Sequence, residues 1–113
     1  MELITQRFKR ADLIAVRGRI DATTAPRLEA ELRGLIAEER FKIAIDLSEC
    51  DYISSAGIKV LVAIQKEVRR WNRGEVRLSG LSKQPHVNET LEMVGLMPLF
   101  KSFDAAIQAV GSF

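Results

Sequence analysis

Residues that build covalent and metal sites are scarce in this sequence. It contains one cysteine, Cys50, and one histidine, His86, among 113 residues. A single cysteine excludes an internal disulfide and any multi-cysteine metal site. A nucleophilic serine needs a base within hydrogen-bond reach, and His86 is distant in sequence from the adjacent serines Ser54 and Ser55. We therefore expect a protein that is not an enzyme and that needs neither a metal nor a cofactor.

Long hydrophobic runs and a strong charge of one sign are also missing. No stretch approaches the roughly 18 consecutive apolar residues of a membrane-spanning helix, and the first residues, MELITQRFKR, lack the apolar core of a secretory signal. The net charge is only +2. One segment is rich in cations, but glutamates interrupt it: Lys59, Lys66, Glu67, Arg69, Arg70, Arg73 and Glu75. This pattern is more typical of a solvated helix face than of a phosphate-binding patch. We expect a cytoplasmic protein that binds neither membranes nor nucleic acids.

The composition is that of a globular domain. Of the residues, 47% are hydrophobic and 28% are charged, which is close to the average for soluble proteins. A chain of this length can bury about two-thirds of the surface that its unfolded form exposes. Since the sequence has no repeat and no linker, we expect residues 1–113 to form one domain.

Hydrophobic periodicity divides the first half of the chain into strands and a helix. Apolar runs at residues 3–8 and 12–17 predict a strand pair, and the alternation of FKIAIDL, residues 41–47, predicts a third strand. Between them, GRIDATTAP supplies residues typical of a helix start: Asp21, Thr23, Thr24 and Pro26. Apolar residues then recur at helical spacing, at Leu28, Leu32, Leu35 and Ile36. We predict an amphipathic helix there.

The second half continues this alternation of strands and helices. A helix is predicted from about Ser55 to Asn72, with an apolar stripe made of Val60, Leu61, Ile64, Val68 and Trp71. Gly74 is expected to end it, and EVRLSG predicts a strand. A third helix is expected to open at Ser82 and Pro85, to end at Gly95, and to point Val87, Leu91 and Val94 inward. A last short helix is expected to begin near Ser102. This order predicts an α/β fold with a mixed or parallel sheet and crossover helices.

A short polar segment, Ser54 to Gly57, lies where a strand is followed by a helix. The first amides of a helix have no internal partner, and the helix N-terminus carries about half a positive charge. Ser54 is placed to cap the helix by accepting from the amide of Ala56 or Gly57, which leaves the Ser55 hydroxyl free to face solvent. A phosphate on Ser55 would lie against open amides. We expect the missing side chain of Gly57 to keep that approach clear.

Other interpretations stay open from these residues alone. Both serines could act only as helix caps, which is common at helix starts. The carboxylates of Asp46, Glu49 and Asp51 could hold a metal or share a proton, although acids near a loop more often face solvent. A nucleotide-processing site using Asp21 or Asp46 is a further possibility.

Nearly the whole chain resembles a STAS domain of the anti-sigma factor antagonist type. The likeness is carried by GRIDATTAP before the first helix and by IDLSECDYISSAGIKVLV from the third strand into the second helix. It continues through the strand GEVRLSG and the segment VNETLEMVGLMPLF, with its Leu91, Gly95, Leu96 and Phe100. The resemblance implies a single STAS-like domain with a mixed β-sheet of four to five strands and crossover helices.

The resemblance also implies a function. In that family, the unphosphorylated antagonist binds an anti-sigma factor that is also a serine kinase, and so releases a sigma factor to activate transcription. Phosphorylation at the helix start weakens the complex, and a phosphoserine phosphatase reverses the change. The family pattern Asp-Ser-Ser/Thr-Gly falls on Ser54, Ser55, Ala56 and Gly57. The resemblance therefore implies phosphorylation of Ser55, and Asp21 matches the acid of the loop beside that site.

Two positions depart from the family pattern, because Ser54 replaces the acid and Ala56 replaces the second hydroxyl. Ser54 is therefore an alternative phosphorylation site. We predict that the partner protein is contacted by Asp21, Thr23, Ser54, Gly57, Ile58 and Val62, although Ile58 and Val62 could equally be ordinary residues at the edge of the core. The alternative function is an unphosphorylated STAS scaffold, or a sensory module that binds a small ligand or nucleotide.

Overall fold

The computed structural model describes residues 1–70 and 74–113. Five strands form one sheet in the order β1-β2-β3-β4-β5: β1 Glu2–Arg7, β2 Asp12–Ile20, β3 Lys42–Ile53, β4 Glu75–Ser79 and β5 Ser102–Phe103. Four helices connect or follow them: α1 Ala25–Ala37, α2 Ser55–Arg70, α3 Pro85–Met93 and α4 Ala106–Gly111. Single 3₁₀ turns lie at Leu81–Lys83 and Met97–Leu99. Strand β1 is antiparallel to β2 and the other pairs are parallel, so the predicted α/β fold with a mixed sheet is confirmed.

Helices α1, α2 and α3 cover one face of the sheet. They bury their apolar stripes against the centre of β2 and β3, and the shared core includes Ile14, Ile43, Ile45, Leu28, Leu32, Leu61, Ile64, Val68, Val87 and Leu91. The predicted stripe of the second helix is confirmed for Val60, Leu61, Ile64 and Val68, which are all buried. Trp71 and the predicted helix end at Asn72 lie outside the described residues.

The opposite face of the sheet carries a smaller core under α4. Leu13, Ala44 and Ala109 are buried there, and Phe103 and Val110 pack around them. Successive residues of a strand face opposite sides. Strand β3 therefore buries Ile43 and Ile45 under the three helices and Ala44 under α4, so both of its faces are covered at this point.

A buried glutamine, Gln65 of α2, completes part of the edge of β4. Its side-chain oxygen accepts the amide of Val76 at 2.7 Å, and its nitrogen donates to the carbonyls of Val76 and Leu99, both at 2.9 Å. Strand β5 is only two residues long and pairs with Leu78 and Ser79. Gln65 thus supplies hydrogen bonds that a longer β5 would have made, and nothing in the sequence analysis pointed to it.

The predicted last short helix is present, but its predicted start near Ser102 is wrong. Ser102 belongs to β5, because β4 pairs with this segment: the Leu78 amide donates to the carbonyl of Lys101 at 2.9 Å and the Gly80 amide to that of Phe103 at 3.0 Å. Helix α4 begins at Ala106. The local sequence favours a helix cap at Ser102, but hydrogen bonding of this segment to the edge of β4 is the stronger interaction.

Val94 does not point inward, contrary to the prediction, and is 53% exposed. Helix α3 ends one residue earlier, at Met93. The chain then turns at Gly95, whose φ is 74°, and the Leu96 amide donates back to the carbonyl of Leu91 at 3.0 Å. Gly95 ends the helix as predicted, and this turn leaves Val94 on the outside.

Candidate functional site

Strands β2 and β3 end side by side, which brings two loops together. Ile20 and Ile53 are paired at the ends of the two parallel strands. The amide of Ser54 donates to the carbonyl of Ile20 at 2.8 Å. The loop that begins at Asp21 and the helix that begins at Ser55 therefore start from neighbouring points on one edge of the sheet.

Ser54 and Ser55 differ in their surroundings. The Ser54 hydroxyl oxygen accepts the amide of Gly57 at 3.4 Å, which is the capping contact that the sequence predicts, although a long one. Ser54 is half-buried, whereas Ser55, the first residue of α2, is exposed. The Ser55 hydroxyl thus lies at the helix end where backbone amides lack intrahelical partners.

Gly57 is placed differently from what the sequence analysis expected. It is buried, and a Cβ atom there would lie 2.5 Å from Cγ2 of Ile20 and 2.9 Å from Cγ1 of Ile53. The missing side chain would have pointed into the core, so it does not clear an approach to Ser55. The prediction that it does is wrong, and the reason for glycine is close packing of α2 on the ends of β2 and β3.

The loop after β2 is shaped by Asp21. One carboxylate oxygen accepts the amides of Thr23 and Thr24 at 2.9 and 3.1 Å, and the Thr24 hydroxyl at 3.2 Å. The Asp21 amide in turn donates to the Thr24 hydroxyl at 2.8 Å. The carboxylate therefore holds its own loop in place just before α1. Thr23 is exposed on this loop and Thr24 is half-buried.

These hydrogen bonds also favour the charged form of Asp21. The amide of Thr24 lowers the pKa of Asp21 below its ordinary value of 3.8, and although desolvation opposes this, further hydrogen bonds and the charge of Arg19 add to it. Asp21 is an anion at neutral pH, and this shift keeps it ionised to a lower pH than an ordinary aspartate. A phosphate nearby would add negative charge to a loop that already carries it.

Arg19, which the sequence analysis did not single out, lies at this edge as well. Its guanidinium carbon is 4.1 Å from the centroid of the Tyr52 ring, and its Nε is 4.0 Å from Asp21. Arg19 and Tyr52 are paired in the sheet, so the contact depends on strand register. A cation, an anion and a free hydroxyl thus come from three elements at one edge.

Apolar surface flanks Ser55. Ile58 and Val62 follow it by three and seven residues, on the same side of α2, and both are half-buried; Ile58 packs against the main core. On the other side, a groove of about 320 Å³ runs between α1 and α2, lined by Ala22, Ala25, Pro26, Glu29, Ala56, Lys59, Val60 and Ala63. The exposed hydroxyl thus lies between two partly apolar surfaces.

The three carboxylates that follow the middle of β3 do not converge. Asp46 accepts the hydroxyls of Ser48 and Ser79 at 2.6 and 2.8 Å, Glu49 pairs with Arg17, and Asp51 is exposed. Within residues 1–70 and 74–113, no group of three or more histidine, cysteine, aspartate or glutamate side chains is arranged to hold a metal ion.

Cys50 and His86 behave as structural and surface residues. Cys50 is fully buried, and burial raises the pKa of its thiol, so it packs as a small apolar side chain. His86 is exposed on α3. None of the helices in the described part of the chain combines the length and apolar character needed to cross a membrane.

Known proteins are similar to this chain in both sequence and fold. Residues 4–100 match the family model described as Mlab, STAS domain. BtrV of Bordetella bronchiseptica is 30% identical over 113 residues, which cover 100% of this chain and 95% of that protein. The anti-sigma-B factor antagonist of Listeria monocytogenes is 34% identical over 88 residues, 78% of this chain and 75% of that protein.

Solved structures of anti-sigma factor antagonists have the same fold as this chain. An anti-sigma factor antagonist from Mycobacterium paratuberculosis matches with a TM-score of 0.82 at 23% identity, covering 98% of this chain and 92% of that one. The phosphorylated form of SpoIIAA, a Bacillus cell fate determinant, matches with a TM-score of 0.75 at 14% identity over 98% of each chain. Its unphosphorylated form matches with the same TM-score and identity, over 98% of this chain and 96% of that one. The chain belongs to the STAS domain family, in its branch of anti-sigma factor antagonists.

Proposed function

We propose that this protein is an anti-sigma factor antagonist that is switched by phosphorylation of Ser55. Unphosphorylated, it binds an anti-sigma factor that is also a serine kinase, and the sigma factor that is released activates transcription. The observation that carries this proposal is the exposed hydroxyl of Ser55 at the first position of α2, beside the Asp21 loop. Membership of the family and the name of the Listeria relative support it.

The phosphorylated protein should keep its fold. A phosphoryl group adds about 1.5 to 2 negative charges at neutral pH. At Ser55 it would lie against the first amides and the positive end of the α2 dipole, which favour anions. The similarity of this chain to SpoIIAA in both its phosphorylated and unphosphorylated forms agrees with a modification that leaves the fold in place.

The effect of the phosphate would instead fall on the complex with the partner. An interface formed around a neutral hydroxyl would have to remove water from a dianion, which is costly unless the partner supplies matching charges. The anion Asp21 on the neighbouring loop adds to the local negative charge. Each 1.4 kcal/mol of such a penalty weakens binding about tenfold, so a few kcal/mol would turn a stable complex into a transient one.

The partner surface that we propose surrounds Ser55. Asp21 and Thr23 would contact the partner from the loop, Ile58 and Val62 from the side of α2, and Ser54 from between them. Gly57 is buried, so it would contribute by letting α2 lie close to β2. The protein would act by binding alone in the cytoplasm, and a phosphoserine phosphatase would restore the unphosphorylated form.

A phosphorylation assay tests the acceptor residue. The wild-type protein, Ser55→Ala and Ser54→Ala are incubated with the kinase partner and ATP, and incorporated phosphate is measured by intact-protein mass spectrometry. We expect one phosphate on the wild type and on Ser54→Ala, and none on Ser55→Ala. Phosphate on Ser55→Ala but not on Ser54→Ala would instead assign the acceptor to Ser54.

A binding assay tests the switch itself. We expect Ser55→Asp to weaken binding of the anti-sigma factor at least tenfold, while Ser55→Ala binds like the wild type. Ser82→Asp adds the same charge at an exposed serine of the 3₁₀ turn before α3 and should have no effect. If Ser55→Asp binds as tightly as the wild type and Ser55 stays unmodified in cells at all growth stages, the protein is a scaffold or ligand-binding module instead.

A further inference from the structure

A second pocket lies at the end of the sheet opposite to Ser55. It has a volume of about 410 Å³, and its walls include Lys9, Arg10, Arg40, Lys42, Phe41 and Phe113. These residues come from the β1–β2 turn, the α1–β3 loop, the start of β3 and the segment after α4. Lys42 begins β3, whereas Ser55 follows the end of that strand. The proposed switch uses none of these residues.

The base of this pocket is built around a buried ion pair. Asp12 is fully buried, and its two carboxylate oxygens accept Nε and Nη2 of Arg40, both at 2.8 Å. Nη2 also donates to the carbonyl of Phe8 at 2.8 Å. These contacts hold the guanidinium in a fixed orientation. Its remaining nitrogen, Nη1, makes no hydrogen bond within the described part of the chain, so it is available to a ligand.

Three further cations at the pocket have no acidic partner. Lys9, Arg10 and Lys42 form no ion pair among residues 1–70 and 74–113. Arg10 is unusual, since every other arginine in that part of the chain has a hydrogen bond, an ion pair or a ring contact. With Arg40, the lining has four cations, against the two acids Asp12 and Glu39. Counted over side chains alone, the lining therefore carries two more positive than negative charges.

We propose that this pocket binds a small phosphomonoester. Its dianionic phosphate would be bound by Lys9, Arg10, Lys42 and the free Nη1 of Arg40, because cationic side chains outnumber acidic ones in the lining and guanidinium groups suit phosphate oxygens. Its organic part would lie along Phe41 and Phe113, which are both half-buried. The volume is in the range of small-molecule sites.

A titration with three probes tests the class of ligand. Isotope-labelled protein is titrated with phenyl phosphate, with inorganic phosphate and with phenol, and amide shifts are followed by NMR. We expect saturable shifts around residues 9–12, 40–42 and 113, with phenyl phosphate binding at least fivefold tighter than inorganic phosphate and phenol not binding. Equal affinity for phenyl phosphate and inorganic phosphate, shifts that map elsewhere, or no binding of phenyl phosphate would overturn the proposal.

Charge variants separate a specific site from general attraction. Arg10→Gln and Lys42→Gln should each weaken the binding of phenyl phosphate at least tenfold. Lys83→Gln removes one charge from an exposed lysine of the 3₁₀ turn before α3 and should leave the affinity unchanged. Ser55→Asp should also leave it unchanged, which makes this site independent of the proposed switch. Equal weakening by Lys83→Gln and Arg10→Gln would show that only net charge matters and would contradict the site.

Discussion

Gly57 and Ile20 lie so close together that a Cβ atom on Gly57 would be 2.5 Å from Cγ2 of Ile20. Real Cβ atoms do not approach other atoms this closely, and Ile20 is fully buried, so it has little room to move. The contact sets the distance between the start of α2 and the end of β2. It therefore also sets the position of the Ser55 hydroxyl beside the Asp21 loop.

Substitution of this glycine should reveal the contact. We expect Gly57→Ala to lower the free energy of unfolding by about 2 kcal/mol, because overpacking of a core costs typically 1–3 kcal/mol, partly offset by the better helix propensity of alanine. Gly34→Ala is the control, since Gly34 lies inside α1 and a Cβ atom added there would have nothing within 4 Å. It should stabilise the protein by about 0.5–1 kcal/mol. Urea unfolding measures both, and a stabilising Gly57→Ala would contradict the packing argument.

Substitutions of the adjacent serines Ser54 and Ser55 should have different effects on stability. Ser54→Ala removes the contact with the Gly57 amide, and because this hydrogen bond is long we expect a loss of only about 0.5–1 kcal/mol. Ser55→Ala removes an exposed hydroxyl and should change the free energy of unfolding by less than about 0.5 kcal/mol. Thermal and urea unfolding give both values. A larger loss for Ser55→Ala than for Ser54→Ala would reverse the roles that we assign.

Gln65 should be among the residues most sensitive to substitution. Gln65→Leu keeps a similar volume but leaves the buried amide and carbonyl of Val76 and the carbonyl of Leu99 without this partner. Since an unsatisfied buried group costs about 1–3 kcal/mol, we expect a loss of about 3 kcal/mol. The adjacent, exposed Lys66 offers the control Lys66→Leu, which should change stability by less than about 0.5 kcal/mol. Similar losses in the two variants would show that the hydrogen bonds of Gln65 do not contribute specifically to stability.

The pH dependence of stability should include a contribution from Glu75. Burial alone would raise the pKa of Glu75, but hydrogen bonds from Arg77 and then Arg69 outweigh this and lower it below the ordinary value of 4.5. A carboxyl group with a lowered pKa stabilises the folded state above its unfolded pKa, and this contribution disappears as the pH falls through the folded pKa. We expect Glu75→Gln to cost about 1 kcal/mol at pH 7 and progressively less below pH 4.5.

Urea unfolding of wild type and Glu75→Gln between pH 7 and pH 3 measures this difference. Glu89→Gln is the matched control, since Glu89 is exposed on α3, and it should change the free energy of unfolding at pH 7 by less than about 0.5 kcal/mol. A cost of Glu75→Gln that stays constant over this range, or that grows as the pH falls, would contradict the assignment.

The local patterns of the sequence predicted most of the fold. The stripe Leu61, Ile64 and Val68 and the alternation of Ile43 and Ile45 are properties of neighbouring residues on one element, and the structure buries them as expected. The same is true of the break between β3 and α2, where Ser54 caps the helix and Ser55 stays exposed.

What the sequence did not predict depends on contacts between distant elements. Ser102 lies in a strand because the edge of β4 offers backbone groups for it to pair with. The contact of the Arg19 guanidinium with the Tyr52 ring depends on the register of β2 and β3. The reason for Gly57 is a close approach to Ile20, which no pattern within α2 reveals. Buried Gln65 looks in sequence like any polar residue at the margin of a helix stripe.

The position of Gln65 has a consequence for self-association. An unpaired strand edge is a template for strands of other molecules and so for aggregation. At Val76 that edge is occupied by a side chain from α2 rather than by another stretch of backbone. The side-chain amide of Gln65, which projects from α2, thus occupies the position where a strand of a neighbouring copy would otherwise pair with β4.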